Sequence, residues 1–253
     1  MGSELFHCFF LEIRYFTVMT PEILILGLAW YLVFVVSLTF HEAAHAFIAH
    51  RLGDSTAYNS GQVSLDPTPH IRREPIGMVV LPIISFLANG WMIGWASTPY
   101  DPNWARRYPK REILMAVAGP AANLILVIIA ALLIRLGMLF DIFYPPETIT
   151  FSHVVDVIRE GRALAGIGVI VSILFTLNLV LFVFNLLPIP PLDGSALVPL
   201  FLSEQNANLY KQLITRPAFS IIGLIIAWQL FGFLFAPIHT LALNLLFPGW
   251  HYS

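Results

Sequence analysis

The sequence from Ile23 to His45 reads ILILGLAWYLVFVVSLTFHEAAH, and it joins an apolar run to two histidines with a glutamate between them. The uncharged run ends at Phe40 after eighteen residues, nearly enough to cross a bilayer as a helix. His41 and His45 are four residues apart, so a helix places both imidazoles on one face, where they can bind one Zn²⁺. Glu42 beside them can act as the base that deprotonates a water molecule. The stretch predicts metal-assisted hydrolysis within a membrane.

The composition supports this setting. Hydrophobic residues make up 58% of the chain and charged residues 11%, against roughly 45–50% and 25% in soluble domains. We expect a single integral membrane domain over residues 1–253, with residues 1–20 as an interfacial helix rather than a signal peptide. The single cysteine, Cys8, excludes an intrachain disulfide and a cysteine-based zinc site. A net charge of −2 without a basic tract argues against nucleic acid as a partner.

Five apolar stretches are candidates for crossing the bilayer: 22–50, 75–96, 112–140, 166–190 and 218–247. If all five crossed, the ends of the first and fourth would lie on opposite membrane faces. The histidines are near the end of the first, and the most attractive downstream ligand, Asp193, follows the fourth. One intervening stretch must therefore fail to cross. We predict that 75–96 is a re-entrant hairpin, because prolines and glycines interrupt it and its longest uninterrupted run is too short.

The predicted fold class is an all-α polytopic membrane protein. It has a three-helix catalytic core, further C-terminal helices, the re-entrant hairpin and a small β-sheet near the active site. Residues 62–66 and 94–98 have short strand-like patterns bounded by Gly and Pro, and we expect them to pair as that sheet. A locally unwound substrate would then add a strand to the edge of one of these segments.

The distribution of Lys and Arg tests this topology. With five crossings the basic residues divide as six and seven between the two faces, which indicates no orientation. With 75–96 re-entrant they divide as nine on the active-site face and four on the other. The positive-inside rule then predicts a multi-pass protein of the plasma or inner membrane with its site toward the cytoplasm. The location of the C-terminus stays open, because Pro237 could break the last stretch into a span and a partial return.

The residues alone leave the third metal ligand open. His50 lies about 180° around the helix from His41 and is expected to be interfacial. Asp193 follows an apolar run, where a carboxylate near the membrane needs a partner, which makes it one candidate. The other candidates are loop carboxylates, which are often simply solvated: Asp54, Asp66 and Glu74.

Three motifs occur in a specific order: HEAAH at 41–45, GPAAN at 119–123 and NLLPIPPLDG at 185–194. Together they resemble the site-2 protease family of intramembrane zinc metalloproteases, in its minimal prokaryotic form without a PDZ-like or CBS-like module. The resemblance implies one zinc ion per chain and a membrane-protein substrate with a transmembrane segment. It also implies roles for five residues, namely the ligands His41, His45 and Asp193, the general base Glu42, and Asn185 as a substrate or oxyanion contact.

Asn123 has two interpretations, a contact between helices or a contact with the substrate. Asn178 is interpreted as a hydrogen-bonding contact between helices. Two other functions remain as alternatives to proteolysis. One is a membrane metal or haem carrier that would use His153 or His239 beside the first two histidines, although Glu42 argues against haem. The other is an inactive homologue that only binds substrates. The sequence does not specify the substrate or the oligomeric state.

Overall fold

The computed structural model describes residues 20–158, 161–214 and 216–252, so the interfacial helix predicted over residues 1–20 lies almost wholly outside the described residues. The helices, numbered along the chain, are α1 (Pro21–Arg51), α2 (Thr56–Asn59), α3 (Thr68–Arg73), α4 (Leu81–Asn89), α5 (Pro102–Arg107), α6 (Pro109–Leu139), α7 (Arg162–Asn185), α8 (Glu204–Ile214) and α9 (Pro217–Leu246). A π-helical turn, Ile76–Val80, leads into α4, and a 3₁₀ helix, Asp193–Phe201, precedes α8. Strands β1 (Phe143–Tyr144) and β2 (Asp156–Val157) pair antiparallel.

Four of the described helices, α1, α6, α7 and α9, are long and apolar enough to cross a membrane. They contain 24 to 31 residues, or roughly 36 to 46 Å at 1.5 Å per residue, against about 30 Å of hydrocarbon. Three of them begin with a proline, which lacks the amide hydrogen that the first helical position leaves unpaired. The predicted all-α fold is confirmed, with four helices that are candidates for spanning the membrane.

Helices α1, α6 and α7 form the centre of the bundle, and α9 packs against the outer side of α7. Trp30 and Phe34 of α1 pack with Ile173 of α7 in one buried cluster. Phe175 of α7 and Phe231 of α9 belong to a second cluster, which also includes residues of α6. The opposite faces of α1, α6 and α9 expose large apolar side chains, as expected for surfaces that contact lipid.

The hairpin predicted over 75–96 is present. The π-helical turn and α4 together cover Ile76–Asn89, about 21 Å of helix, which is too short to cross. Gly90 ends α4 with a φ of 78°, and the chain returns in an extended conformation. The amide of Trp95 donates to the carbonyl of Gly77, and Glu74 accepts from the Trp95 indole. The two arms touch so closely that a side chain at Gly77 would overlap the Trp95 carbonyl.

The predicted pairing of residues 62–66 with 94–98 is wrong. The small sheet of the described residues consists of β1 and β2, which lie between α6 and α7. Residues 64–66 instead form a turn, in which Ser64 Oγ accepts from the amide of Asp66 and the carbonyl of Ser64 accepts from His70. The segment 94–98 packs against Gly77 and Glu42 instead of pairing with residues 62–66.

Helix α9 runs through Pro237 without turning back. The carbonyl of its last residue, Leu246, accepts a hydrogen bond from the guanidinium of Arg135, which lies in the second half of α6. The end of α9 therefore lies at the same end of the bundle as the end of α6. This places the C-terminal residues opposite the end of the bundle where α1 ends and α6 begins, and the partial return left open by the sequence does not occur.

Candidate metal centre

Three side chains meet where α1, α6 and the turn after α7 converge. His41 and His45, both nearly fully buried, project from α1, and Asp193 begins the 3₁₀ helix. The two Nε2 atoms are 3.0 Å apart, and Oδ2 of Asp193 is 3.1 Å from Nε2 of His41 and 3.3 Å from Nε2 of His45. A tetrahedral zinc with bonds of about 2.0–2.2 Å holds its ligand atoms roughly 3.3–3.5 Å apart. The donor set fits one zinc ion, and the three separations lie at or a few tenths of an ångström below this spacing.

The hydrogen bonds behind the imidazoles show why these three atoms favour a cation. Nδ1 of His45 lies 2.7 Å from the carbonyl of Met115, which can only accept, so Nδ1 carries the proton and Nε2 keeps its lone pair. Nδ1 of His41 lies 2.6 Å from Oδ1 of Asn123 in the same arrangement. Oδ2 of Asp193 is buried without a hydrogen-bond donor. Three electron pairs therefore face one another, which is costly unless a positive charge lies between them.

The turn between α7 and the 3₁₀ helix positions the third candidate ligand, Asp193. Amides of Ile189 and Leu192 bond to carbonyls two and three residues earlier, which folds the proline-rich chain back on itself. Gly194 lies against the last residues of α7, and a Cβ there would overlap the carbonyl of Leu186.

Glu42 lies next to the ligands and faces a cavity. Its side chain is only 5% exposed, and Oε2 accepts a hydrogen bond of 2.8 Å from the hydroxyl of Thr98. Glu42, His45 and Asp193 line one wall of a cavity of about 260 Å³. The extended return arm of the hairpin, residues 96–98, lines another. A substrate in this cavity would contact a carboxylate, two metal ligands and an extended backbone at once.

Helix α8 borders this cavity and a larger one of about 650 Å³ that shares several of its lining residues. Lys211 of α8 forms an ion pair with Glu112 of α6, and Tyr210 donates to the carbonyl of Ser195. The described side chains of α8 include none that is buried. Burial and the charge of Glu112 raise the pKa of Tyr100, which lines both cavities. A helix held mainly by polar contacts therefore borders the approach to the centre.

Gly119 of α6 faces the two imidazoles directly. An added Cβ would lie 2.6 Å from Nε2 of His41 and closer still to Nε2 of His45. The glycine of the GPAAN motif thus leaves the space that the ligand atoms occupy. The sequence showed only that a small residue here allows close helix packing, and it did not show what packs against it.

Asn123 is fully buried, and both ends of its amide are engaged. Its Oδ1 faces His41, and its Nδ2 donates to Oδ1 of Asn178 on α7 at 2.8 Å. The structure therefore shows the contact between helices, which was one of the two interpretations of Asn123, and the contact with a substrate stays a prediction. Asn123 holds the imidazole of His41 in place, as outer hydrogen bonds do for metal-bound histidines.

Asn185 is the last residue of α7, and its side-chain amide donates to the carbonyl of Leu181 at 3.0 Å. The residues that line the cavity at Glu42 do not include it. Its contact with substrate or an oxyanion stays a prediction.

The remaining ligand candidates are engaged elsewhere. Asp54 accepts from Thr56 and from the amide of Asp101, while Asp66 accepts from the amide of Thr68. Glu74 joins the arms of the hairpin, and His50 contacts Ser55 and stacks on Tyr58. His153 pairs with Asp156 beside β2, and His239 stacks on Phe235 of α9. Within the described residues, the group able to hold a metal consists of His41, His45 and Asp193.

Comparisons with known proteins find one family and several relatives. The profile of "Peptidase family M50" matches residues 29–230. "Putative zinc metalloprotease YwhC" of Bacillus subtilis is 35% identical over 165 residues, which is 65% of this chain and 64% of that protein. "Putative zinc metalloprotease Rip2" is 29% identical in Mycobacterium tuberculosis, over 82% of this chain and 70% of that protein. In Mycolicibacterium smegmatis it is 29% identical, over 73% and 59%. The chain thus spans about 60 to 70% of the length of these relatives. No solved structure matches it.

Proposed function

The chain belongs to peptidase family M50, and on that premise we propose that it is an intramembrane zinc endopeptidase that cuts membrane proteins in or near a transmembrane segment. The observation that carries the proposal is the meeting of His41, His45 and Asp193 beside the buried carboxylate of Glu42, at the end of a helix long enough to span a bilayer. A zinc protease needs three protein ligands, one open position and a base, and these residues supply the ligands and the base.

Zinc held by His41, His45 and Asp193 would activate a water molecule and polarise the scissile carbonyl. Glu42 accepts the proton of the attacking water and delivers it to the leaving amine, as general acid–base catalysis requires. Thr98 donates to Oε2 of Glu42 and so holds the carboxylate toward the cavity. The nearly complete burial of Glu42 strengthens its interaction with nearby charge, because the local dielectric constant is low.

The substrate reaches this site as an extended chain. A transmembrane helix bonds its own amides, so the segment to be cut must unwind first. The return arm of the hairpin, residues 96–98, is extended and lines the cavity beside Glu42, whereas residues 62–66 do not line it. Of the two edges that the sequence suggested, this one supports strand addition by the unwound substrate.

The site faces the cytoplasm of a plasma or inner membrane. The predicted active-site face carries nine basic residues, namely Arg51, Arg72, Arg73, Arg106, Arg107, Lys110, Arg111, Lys211 and Arg216. The predicted opposite face has four basic residues, of which Arg14 and Arg159 lie outside the described residues. The positive-inside rule supports the cytoplasmic orientation for the richer face.

Cleavage by the purified protein tests the activity. Wild-type protein, Glu42→Gln and the control Glu147→Gln are purified in detergent, assayed for zinc and mixed with a panel of single-span proteins. Glu147 is exposed in the loop after β1, far from the centre in the chain. We expect about one zinc per chain in all three and a 10²- to 10⁴-fold slower cleavage by Glu42→Gln alone. A wild-type protein without zinc, or a Glu42→Gln variant that cleaves at the wild-type rate, would refute the proposal.

Labelling of introduced cysteines tests the orientation separately. In a Cys8→Ser background, Arg106→Cys is at the end with the metal centre and Glu147→Cys is in the loop at the other end; both positions are exposed. A membrane-impermeant maleimide added to intact cells should label Glu147→Cys but not Arg106→Cys. The opposite pattern would show that the orientation is inverted, and equal labelling would contradict the crossing of α6.

A further inference from the structure

We propose that Asn178 is a positioning residue for the metal centre, because it determines which nitrogen of His41 carries the proton although it does not touch that histidine. The inference rests on the proposed zinc function. Asn178 is fully buried and hydrogen-bonded to groups on α1, α6 and its own helix.

A backbone carbonyl fixes the orientation of the Asn178 amide. Nδ2 of Asn178 lies 2.8 Å from the carbonyl of Leu174, which can only accept, so the NH₂ group must point there. The same NH₂ group donates to Oγ of Ser37 on α1 at 2.9 Å. A flipped amide would set its oxygen against the Leu174 carbonyl, leaving two acceptors together in a buried place. Oδ1 of Asn178 is therefore held toward α6.

The orientation of the Asn178 amide fixes that of Asn123, which in turn contacts His41. Because Oδ1 of Asn178 accepts, the atom of Asn123 that faces it must be Nδ2, at 2.8 Å. Oδ1 of Asn123 then faces Nδ1 of His41 at 2.6 Å, and it can only accept. The proton of a neutral His41 is thereby kept on Nδ1, and Nε2 presents its lone pair toward His45 and Asp193. Without Asn178, the Asn123 amide could flip and donate to His41, which would favour a proton on Nε2, where zinc binds.

The same chain of hydrogen bonds connects the three central helices. Ser37 precedes His41 by four residues, so both are on the same face of α1. Asn123 is on α6 and Asn178 on α7, and neither is exposed. In a low-dielectric interior, a hydrogen-bonded network in which every group has a partner is rigid. A network with a missing partner destabilises the fold. The orientation of the ligand is therefore coupled to the packing of the bundle.

Zinc affinity of purified protein tests this inference without an assay of cleavage. We compare the wild type, Asn178→Leu and the control Thr176→Val by competition with a chelator. Thr176 is on the same helix and 1% exposed, but its hydroxyl has no hydrogen-bond partner among the described residues, so its replacement leaves the chain of hydrogen bonds intact. Loss of an outer hydrogen bond to a metal-bound histidine weakens binding by about 10- to 100-fold. We expect such a decrease for Asn178→Leu, and an affinity within about 2-fold of wild type for Thr176→Val.

A second measurement observes the proton of His41 directly in the wild-type protein. Nitrogen-15 spectra of histidine-labelled, metal-free wild-type protein at a pH where His41 is neutral should show the proton of His41 on Nδ1, assigned by the signal lost in His41→Gln. A proton on Nε2, or an unchanged zinc affinity in Asn178→Leu, would overturn the inference. If the wild type binds no zinc, the proposed function fails, but the histidine spectrum still decides whether the proton of His41 is fixed.

Discussion

Replacement of Gly119 by alanine provides a stringent test of the metal centre, because it adds one methyl group where three ligand atoms meet. The backbone of α6 passes directly over the two imidazoles at this position. Alanine is favoured over glycine within a helix by about 1 kcal/mol, so local helix formation does not oppose the change. Any loss of zinc binding must then come from the space that the methyl group takes.

The expected effect follows from the contact distances. The new Cβ would lie 2.6 Å from Nε2 of His41, and ordinary contacts begin at 3.4 Å, so that ring must move by about 0.8 Å. The ring of His45 must move farther. Zinc–ligand distances tolerate about 0.2 Å. Both rings are also held at Nδ1, by Asn123 and by the Met115 carbonyl, so they cannot shift without breaking those bonds. We expect zinc affinity to fall at least 100-fold, or about 2.7 kcal/mol.

The assay is chelator competition on detergent-purified protein, with zinc content measured by mass spectrometry. Gly166→Ala is the matched control, because Gly166 is an exposed helical glycine of α7 whose added Cβ would meet no atom within 4 Å. We expect the control to retain wild-type affinity and to unfold at the same or a slightly higher temperature. If Gly119→Ala bound zinc as tightly as Gly166→Ala, the ligand geometry described above would be wrong.

Three further predictions concern the surroundings of the centre. Asp54→Asn should destabilise the protein by about 1–3 kcal/mol at pH 7. Burial raises the pKa of Asp54, but hydrogen bonds from Thr56 and Asp101 lower it more, so the ionised carboxylate stabilises the fold above the unfolded pKa of about 3.9. Below that pH, the difference in melting temperature between the wild type and Asp54→Asn should narrow. Lys211→Ala should speed deuterium uptake by residues 204–214 in exchange measurements while zinc content stays unchanged, since α8 is held mainly by polar contacts. Gly194→Ala should abolish zinc binding measured by chelator competition, because its Cβ would overlap the end of α7; retained binding would mean that the turn can relax.

The crossing pattern could be predicted because it follows from length and parity. Eighteen or more uncharged residues are enough to indicate a span, and the need to bring Asp193 to the histidines on one membrane face excluded a crossing by 75–96. Neither argument requires knowledge of which side chains are in contact. The four helices and the hairpin are therefore readable from the order of residues along the chain.

The position of the small sheet could not be predicted, because strand pairing depends on what lies beside an extended segment. Residues 94–98 are extended as their pattern suggests, yet their neighbours are Gly77 and Glu42 rather than another strand. The roles of Gly119 and Asn178 were hidden for the same reason. A glycine and an asparagine in apolar helices are typical of close packing and of hydrogen bonds between helices, and only the three-dimensional arrangement shows that both act on His41.

The arrangement also explains why a polar centre can exist in so apolar a bundle. Each unpaired polar group buried away from water destabilises the fold by several kcal/mol, so isolated groups would be selected against on stability alone. Here the amides of Asn123 and Asn178 satisfy each other, and their chain of hydrogen bonds ends on a backbone carbonyl of α7. At the centre itself, the lone pairs of His41, His45 and Asp193 face one another, and one cation would satisfy them together. A bound metal would then join α1 to the turn after α7, while Asn123 joins α1 to α6. Because the packing of the three central helices and the geometry of the ligands use the same contacts, a change that loosens one must weaken the other.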